Sequence, residues 1–219
     1  MAQDPKPQSV KHPIALEKRG DIDGRLFSPS AGRNKSIIGD VLAEVMPKNA
    51  SVLEIASGTG EHGVEAAARR ADISWQFSDP DENSRISQAA WIDALGLEFP
   101  APVNIDTTQP GWSLGLGPYD LIFCSNMIHI APWEAAVGIA KEAVNCLSPE
   151  GVIGLYGPFL MGKDSAPSNF DFDTSLKARN TSWGVRELES VKHIFAKHGF
   201  NHMTRREMPK NNLFLLISR

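Results

Sequence analysis

The chain has 219 residues, 42% hydrophobic and 22% charged, which suits one domain with a sizeable core. A net charge of -4 argues against a dedicated nucleic-acid binder, which carries a basic face, and no apolar run approaches the length of a membrane span. Cys124 and Cys146 lack metal-ligand spacing and read as reduced core thiols; with no signal-type apolar run at the N-terminus, they point to a cytoplasmic protein without a metal.

From Met1 to about Glu17 the composition is polar and proline-bearing, which predicts a flexible arm, and residues 18–219 then form a single domain. Ile37, Ile38, Val41, Leu42 and Val45 recur at helical spacing and stop before Pro47. Val52, Leu53 and Ile55 make the short apolar run of a buried strand, which breaks into Ala56-Ser57-Gly58-Thr59-Gly60 ahead of an amphipathic helix from Glu61 to Arg70. In that order the helix aims its N-terminal amides at the turn, and Gly58 and Gly60 let the backbone approach a ligand closely, so a nucleotide-like ligand fits. The spacing of Gly58, Gly60 and Gly63 also satisfies the dinucleotide fingerprint, which keeps an NAD(P)-dependent oxidoreductase open. Glu54, an acid near the end of a strand that dinucleotide sites keep apolar, favours a cationic cofactor instead.

Ile73 to Asp79 alternates and stops at Pro80 as a second strand, placing Asp79 19 residues after Gly60, where a carboxylate accepts both ribose hydroxyls. Asp81 and Glu82 cap a helix from Asn83 to Leu95. A short strand, Val103 to Ile105, leads to Asp106. The stretch Gln109 to Pro118 is too rich in glycine and proline for regular structure, and its Trp112 either covers a bound base or plugs the core. Tyr119 to Cys124 is the next strand, and ligands of open α/β sheets gather beyond carboxyl ends of strands, so Asn126 and His129 project where a substrate would stand. Helix Trp133 to Leu147 and strand Val152 to Tyr156 complete another unit. Residues 157–182, with Pro158, Gly162 and Pro167 among interleaved phenylalanines, read as a long loop forming a lid or substrate wall, with Tyr156, Asp171, Arg179, Asn180 and Trp183 available to line a pocket. Helix Val185 to His198 follows, and two strands, Asn201 to Met208 and Asn212 to Ile217, close the chain as a hairpin.

The run from Val52 to Gly60 resembles the first motif of the class I S-adenosylmethionine-dependent methyltransferases, an apolar pair, an acid, then small-x-Gly-x-Gly, with Ala56 where that superfamily most often has its first glycine. A terminal hairpin after five βα units is the arrangement of the same superfamily. Phe27-Ser28-Pro29-Ser30 with Arg33-Asn34-Lys35, Val52 through His62, Trp75-Gln76 with Ser78-Asp79, and Trp183-Gly184-Val185-Arg186 together resemble the methyltransferase-like 26 family, formerly catalogued as domain of unknown function 938, of which Ala56-Ser57 is the family's own variant.

The resemblance implies a Rossmann-like class I methyltransferase fold: a mostly parallel seven-stranded sheet, a C-terminal antiparallel hairpin and helices on both faces. It implies S-adenosyl-L-methionine as cofactor and S-adenosyl-L-homocysteine as product. Glu54, Ala56, Gly58, Gly60 and Asp79 would hold the cofactor, with Asp106 against the adenine amino group, Arg33 and Asn34 at the methionine end and Asn126 as a further contact. Asn126 through Gly151 is similar to small-molecule methyltransferases and lacks the Asn/Asp-Pro-Pro-aromatic motif of enzymes that methylate base or glutamine amides. The expected reaction is in-line methyl transfer to a small-molecule oxygen, nitrogen or sulfur, with His129 the first candidate general base and Tyr156 the second. A non-catalytic binder of the same cofactor, or a partner subunit, is the alternative. Neither nucleic acid nor membrane is expected as a partner; monomer and homodimer fit equally, and nothing names the acceptor.

Overall fold

The strand that precedes the glycine turn becomes an interior strand of the sheet, with Val52, Leu53 and Ile55 buried on its two faces. The computed structural model describes residues 16–219, so the expected arm, apart from its last two residues, lies outside the described residues. A small antiparallel hairpin comes first, β1 (Gly20–Ile22) and β2 (Arg25–Phe27), turning at Asp23 and Gly24, whose φ angles of 52° and 79° suit a tight hairpin. Helix α1 (Pro29–Val45) starts on Ser28, whose Oγ accepts from the Ala31 amide at 3.4 Å, and has Pro29 in its first turn, where no amide partner is lost.

The main elements follow in order: β3 (Ser51–Ile55), α2 (Glu61–Arg69), β4 (Ser74–Phe77), α3 (Glu82–Leu95), β5 (Tyr119–Ser125), α4 (Trp133–Cys146), β6 (Leu147–Leu160), α5 (Pro167–Arg179), β7 (Arg186–Glu187), α6 (Leu188–Lys197), β8 (His202–Met208) and β9 (Asn212–Ser218). Seven strands form one sheet in the order β4-β3-β5-β6-β9-β8, with the short β7 beside the far end of β6. Strands β3 to β6 are parallel, and β9 runs antiparallel to both β6 and β8. The expected class I arrangement with its terminal hairpin is therefore present.

Alternate residues of the central strands enter two cores. Leu53, Ile55, Ile122 and Leu215 join Ile139 of α4 and Val191 of α6, while Val52, Phe123 and Phe214 join Ile38 of α1, Ala66 of α2, Trp75 and Phe77. Gly63 sits where α2 crosses β4, and a Cβ there would overlap the rings of Phe77 and Trp75. Close packing of helix on strand thus explains this glycine, and the dinucleotide spacing it completes needs no dinucleotide.

Three local expectations change. Residues 157–182 are not a long loop: β6 continues to Leu160, and α5 begins at Pro167, because β6 keeps its partner β9 as far as Pro158 and then gains β7. Val103 to Ile105 is not a strand but a single bridge, Ser78 with Val103. Trp112 plugs the core, donating to the Gly138 carbonyl at 3.1 Å, while Glu142 of α4 accepts from the amides of Gly111 (2.7 Å) and Ser113 (3.3 Å) and so pins that loop to α4. Among the described residues no helix is long and apolar enough to cross a membrane, and no three His, Cys, Asp or Glu side chains converge as a metal would need.

Candidate functional site

The sheet reverses its winding between β3, which leads back to β4, and β5, which leads on to β6, and a crevice opens beyond the carboxyl ends at that point. Its empty space, counted with the open solvent at its mouth, is about 810 Å³. Its floor is Ala56, Ser57, Gly58 and Thr59 after β3. One wall is Asp79, Asp81 and Ser84 after β4, and the other is Ser125, Asn126, Met127 and Ile130 after β5; Arg19, Ser28, Ser30, Ala31, Asn34 and His62 complete the lining.

The floor turns through left-handed backbone at Ala56 (φ 54°), Gly58 (φ 57°) and Gly60 (φ 89°). Asp79, 5% exposed, holds this turn to the next: Oδ2 accepts from the Gly58 amide and Oδ1 from the Asp81 amide, both at 2.9 Å. Burial pushes the Asp79 carboxyl above the usual carboxylate range, opposed by those two amides. Each oxygen retains a second lone pair. Gly60 lies under the floor rather than on the wall, capping α2 and packing toward Gln88 and Trp91. Glu61, buried beside it, accepts from the Ser28 amide (2.6 Å), Thr59 Oγ1 (3.0 Å) and Lys35 Nζ (3.0 Å), and so clasps the start of α1 to the glycine turn.

At the inner end His62 Nε2 lies 3.0 Å from Asn34 Oδ1; an amide oxygen only accepts, so Nε2 carries the proton. The other ring nitrogen faces Glu54 Oε1 at 3.8 Å. Glu54 does not reach the pocket. It is 1% exposed, accepts from Trp75 Nε1 at 3.1 Å, and burial pushes its carboxyl up to about 8. Burial likewise pushes the His62 imidazole down to about 4, so at neutral pH the pair is uncharged. The expectation that Glu54 presents a negative charge to a cationic cofactor is thereby corrected: desolvation keeps it a neutral acid inside the sheet.

Asn126 stands on the wall in left-handed backbone (φ 61°), its amide donating to the Tyr156 carbonyl at 2.7 Å and its Nδ2 to Ser125 Oγ at 3.1 Å. Its neighbour His129 does not. That ring is 1% exposed, its Nδ1 accepts from the Arg186 amide at 3.3 Å, and its Nε2 faces Gly157, where a Cβ would approach to 2.5 Å. Burial pushes it down to about 3, and its one lone pair is already in use, so the base role expected for His129 is corrected to a structural one. Arg186 completes that fastening by donating to the carbonyls of Ile128 (2.8 Å) and Ala131 (2.7 Å). Tyr156 is also buried behind the wall, and burial raises its pKa above the ordinary 10, so the phenolate that could take a proton is scarcer.

Other expected site residues lie apart. Arg33 points outward to Glu17 at 3.0 Å. Asp106 is a turn carboxylate accepting from Thr108 N (2.9 Å) and Oγ1 (2.7 Å). Asp171 is exposed on α5, Arg179 donates to the Leu16 carbonyl (3.2 Å), Asn180 closes a turn onto Ser182 (2.9 Å), and Trp183 packs with Leu160, Leu176 and Val185. None of these six lines the pocket. Sequence reasoning passed over Arg19, His62, Ser84 and the serines of the walls. His62 stood inside the glycine motif and was readable as a wall residue, whereas Arg19 reaches Ser84 across 65 positions, a contact no local pattern signals.

The family model described as Protein of unknown function (DUF938) matches residues 25–219. Ribosomal RNA large subunit methyltransferase F of Pseudomonas syringae pv. tomato (strain ATCC BAA-871 / DC3000) is 30% identical over 129 residues, 53% of this chain and 39% of that protein. Among solved structures, an O-methyltransferase family protein from Burkholderia thailandensis superposes with a TM-score of 0.73 at 14% identity, over 87% of this chain and 56% of that one. PigF, solved with S-adenosylhomocysteine (SAH), superposes with a TM-score of 0.64 at 14% identity, over 81% and 53%. The chain thus spans less than two thirds of each of these proteins, and the two superpositions establish the class I methyltransferase fold.

Proposed function

This chain belongs to the DUF938 family, and from that premise we propose that it is an S-adenosylmethionine-dependent methyltransferase acting on a small-molecule acceptor. The observation that carries the reading is Asp79, a buried carboxylate at the switch point with one unused lone pair on each oxygen, matched to the two hydroxyls of a ribose. The glycine turn beside it admits a nucleoside's sugar against bare backbone, and PigF, of the same fold, was solved with SAH. The residues present therefore fit this cofactor. S-adenosylmethionine supplies a sulfonium methyl already activated for displacement.

The chain's own part is to bind, orient and exclude water. Asp79 and the floor amides hold the nucleoside end, while Asn34 and His62 form an uncharged inner end. Ser125, Asn126, Met127 and Ile130 remain for the acceptor, a wall half polar and half apolar. His129 and Tyr156 do not line the pocket, and burial holds the His62 imidazole a weak base. The acceptor therefore arrives already nucleophilic, as a phenolate, thiolate or amine, or sheds its proton to water, and rate enhancement comes from proximity and alignment.

The relative named for ribosomal RNA favours a second acceptor class, a nucleic-acid base. Against it, this chain has Asn126-Met127-Ile128-His129 where a base-methylating site carries paired prolines, and its net charge is -4. The deciding experiment incubates the protein with S-adenosylmethionine and follows SAH formation with a panel of phenols, thiols and amines alongside ribosomal RNA. Turnover with a small molecule, faster as that molecule's own ionisation rises, is expected. Turnover confined to RNA overturns the acceptor class, and binding without turnover on either favours a non-catalytic binder.

A further inference from the structure

Arg19 enters the pocket from outside the span that the family model matches, carried there by the β1–β2 hairpin. The hairpin is fastened to α3: the Leu26 amide donates to Ser87 Oγ at 2.8 Å, Phe27 meets Trp91 edge to face at 5.1 Å, and the Arg25 guanidinium lies 5.2 Å from the Trp91 ring centre. This docking brings the residue just ahead of β1 back over the glycine turn. Arg19 Nη1 donates to Ser84 Oγ at 3.0 Å, and Nη2 stands 3.7 Å from where a Cβ on Gly58 would lie. Among the described residues Nη2 has no hydrogen-bond partner and, unlike the sealed Nε of the same group, it is not closed off, on a side chain that lines the pocket. No carboxylate lies within ion-pair distance of this guanidinium among the described residues, yet its charge acts on Asp79.

Resting on the cofactor reading above, we infer that Arg19 is a second ribose-recognition residue, donating from its unpaired Nη2 to the vicinal diol that Asp79 accepts from. The chemistry is complementary. Asp79 offers only acceptors and Arg19 only donors, whereas each hydroxyl of a diol both donates and accepts, so the pair reads a cis-diol from two sides. A 2′-deoxy sugar breaks one half of this recognition, and a 2′-phosphate is repelled by Asp79. Ser84 positions the guanidinium for the role by holding Nη1.

The test is calorimetric titration of wild type, Arg19→Gln, Arg19→Lys and Ser84→Ala with SAH, adenosine and 2′-deoxyadenosine, with a thermal melt of each variant as the folding control. Arg19→Gln is expected to lose about tenfold in SAH affinity with its melting point kept, and its preference for adenosine over 2′-deoxyadenosine is expected to shrink toward unity. Arg19→Lys, whose single ammonium cannot bond Ser84 and reach the diol with the fixed fork of a guanidinium, does not restore the preference, and Ser84→Ala falls between. The inference is overturned if Arg19→Gln binds SAH as the wild type does, or loses affinity while keeping the full ribose preference, which would mark mere packing. A wild type that binds neither SAH nor adenosine overturns the cofactor reading itself and this inference with it.

Discussion

Replacing Glu54 by Gln is expected to abolish a fall in stability that the wild type shows between about pH 6.5 and 8. The Glu54 carboxyl is raised from 4.5 to about 8 by burial, so its contribution is fully present below 4.5 and is lost as pH rises through 8. His62 and His129 are lowered from 6.5 to about 4 and about 3, so their contributions are present above 6.5 and are lost as pH falls. Below 6.5 the histidines offset and outweigh Glu54; above it Glu54 acts against stability without them. At about 1.4 kcal/mol per pH unit, the wild type loses roughly 2 kcal/mol relative to Glu54→Gln over that window. The amide still accepts from Trp75 Nε1, so the two proteins should be closest in stability below about pH 4.5, where the Glu54 carboxyl is neutral in both folded and unfolded chains. Urea unfolding of both at half-unit pH steps measures the difference. Parallel curves would mean that Glu54 is ionised in the fold and pairs with a charged His62.

The largest effect on ligand binding is expected at Asp79. Asp79→Ala removes the acceptor for both ribose hydroxyls, and two charge-assisted hydrogen bonds at about 1.5 kcal/mol each amount to roughly a hundredfold loss of SAH affinity. The same change strands the amides of Gly58 and Asp81, so part of any loss is a loosened turn. Asp79→Asn, which keeps one acceptor oxygen, separates the two: an intermediate affinity with a preserved melting point assigns the loss to the ligand. Unchanged SAH affinity in Asp79→Ala would remove Asp79 from the site.

What was legible in the chain was local. The run Val52–Ile55 into glycines, the acid at Asp79 after a second strand, and the hairpin around Pro209 each depend on a short pattern, and each stands where expected. Two signals were present and unread. Asp23-Gly24 is a tight hairpin pair between three-residue strands too short to show alternation, and Pro167 belongs to the first turn of a helix, where proline is favoured, rather than to a loop. Burial was not legible. Glu54, His129 and Tyr156 have the right chemistry at the right distance along the chain, yet the sheet and the 184–186 segment enclose them, and desolvation cancels the charge or basicity that made them candidates. Arg19 was missed for the converse reason, since a hairpin docked on α3 brings it to a wall far away in sequence.

The most direct test of the account is calorimetric titration of SAH into the purified wild-type chain, with NAD as the competing ligand. The account predicts saturable micromolar binding of SAH, one per chain, and no heat from NAD at the same concentrations. Binding of NAD, or no binding of SAH, would contradict it and leave the class I fold without its cofactor.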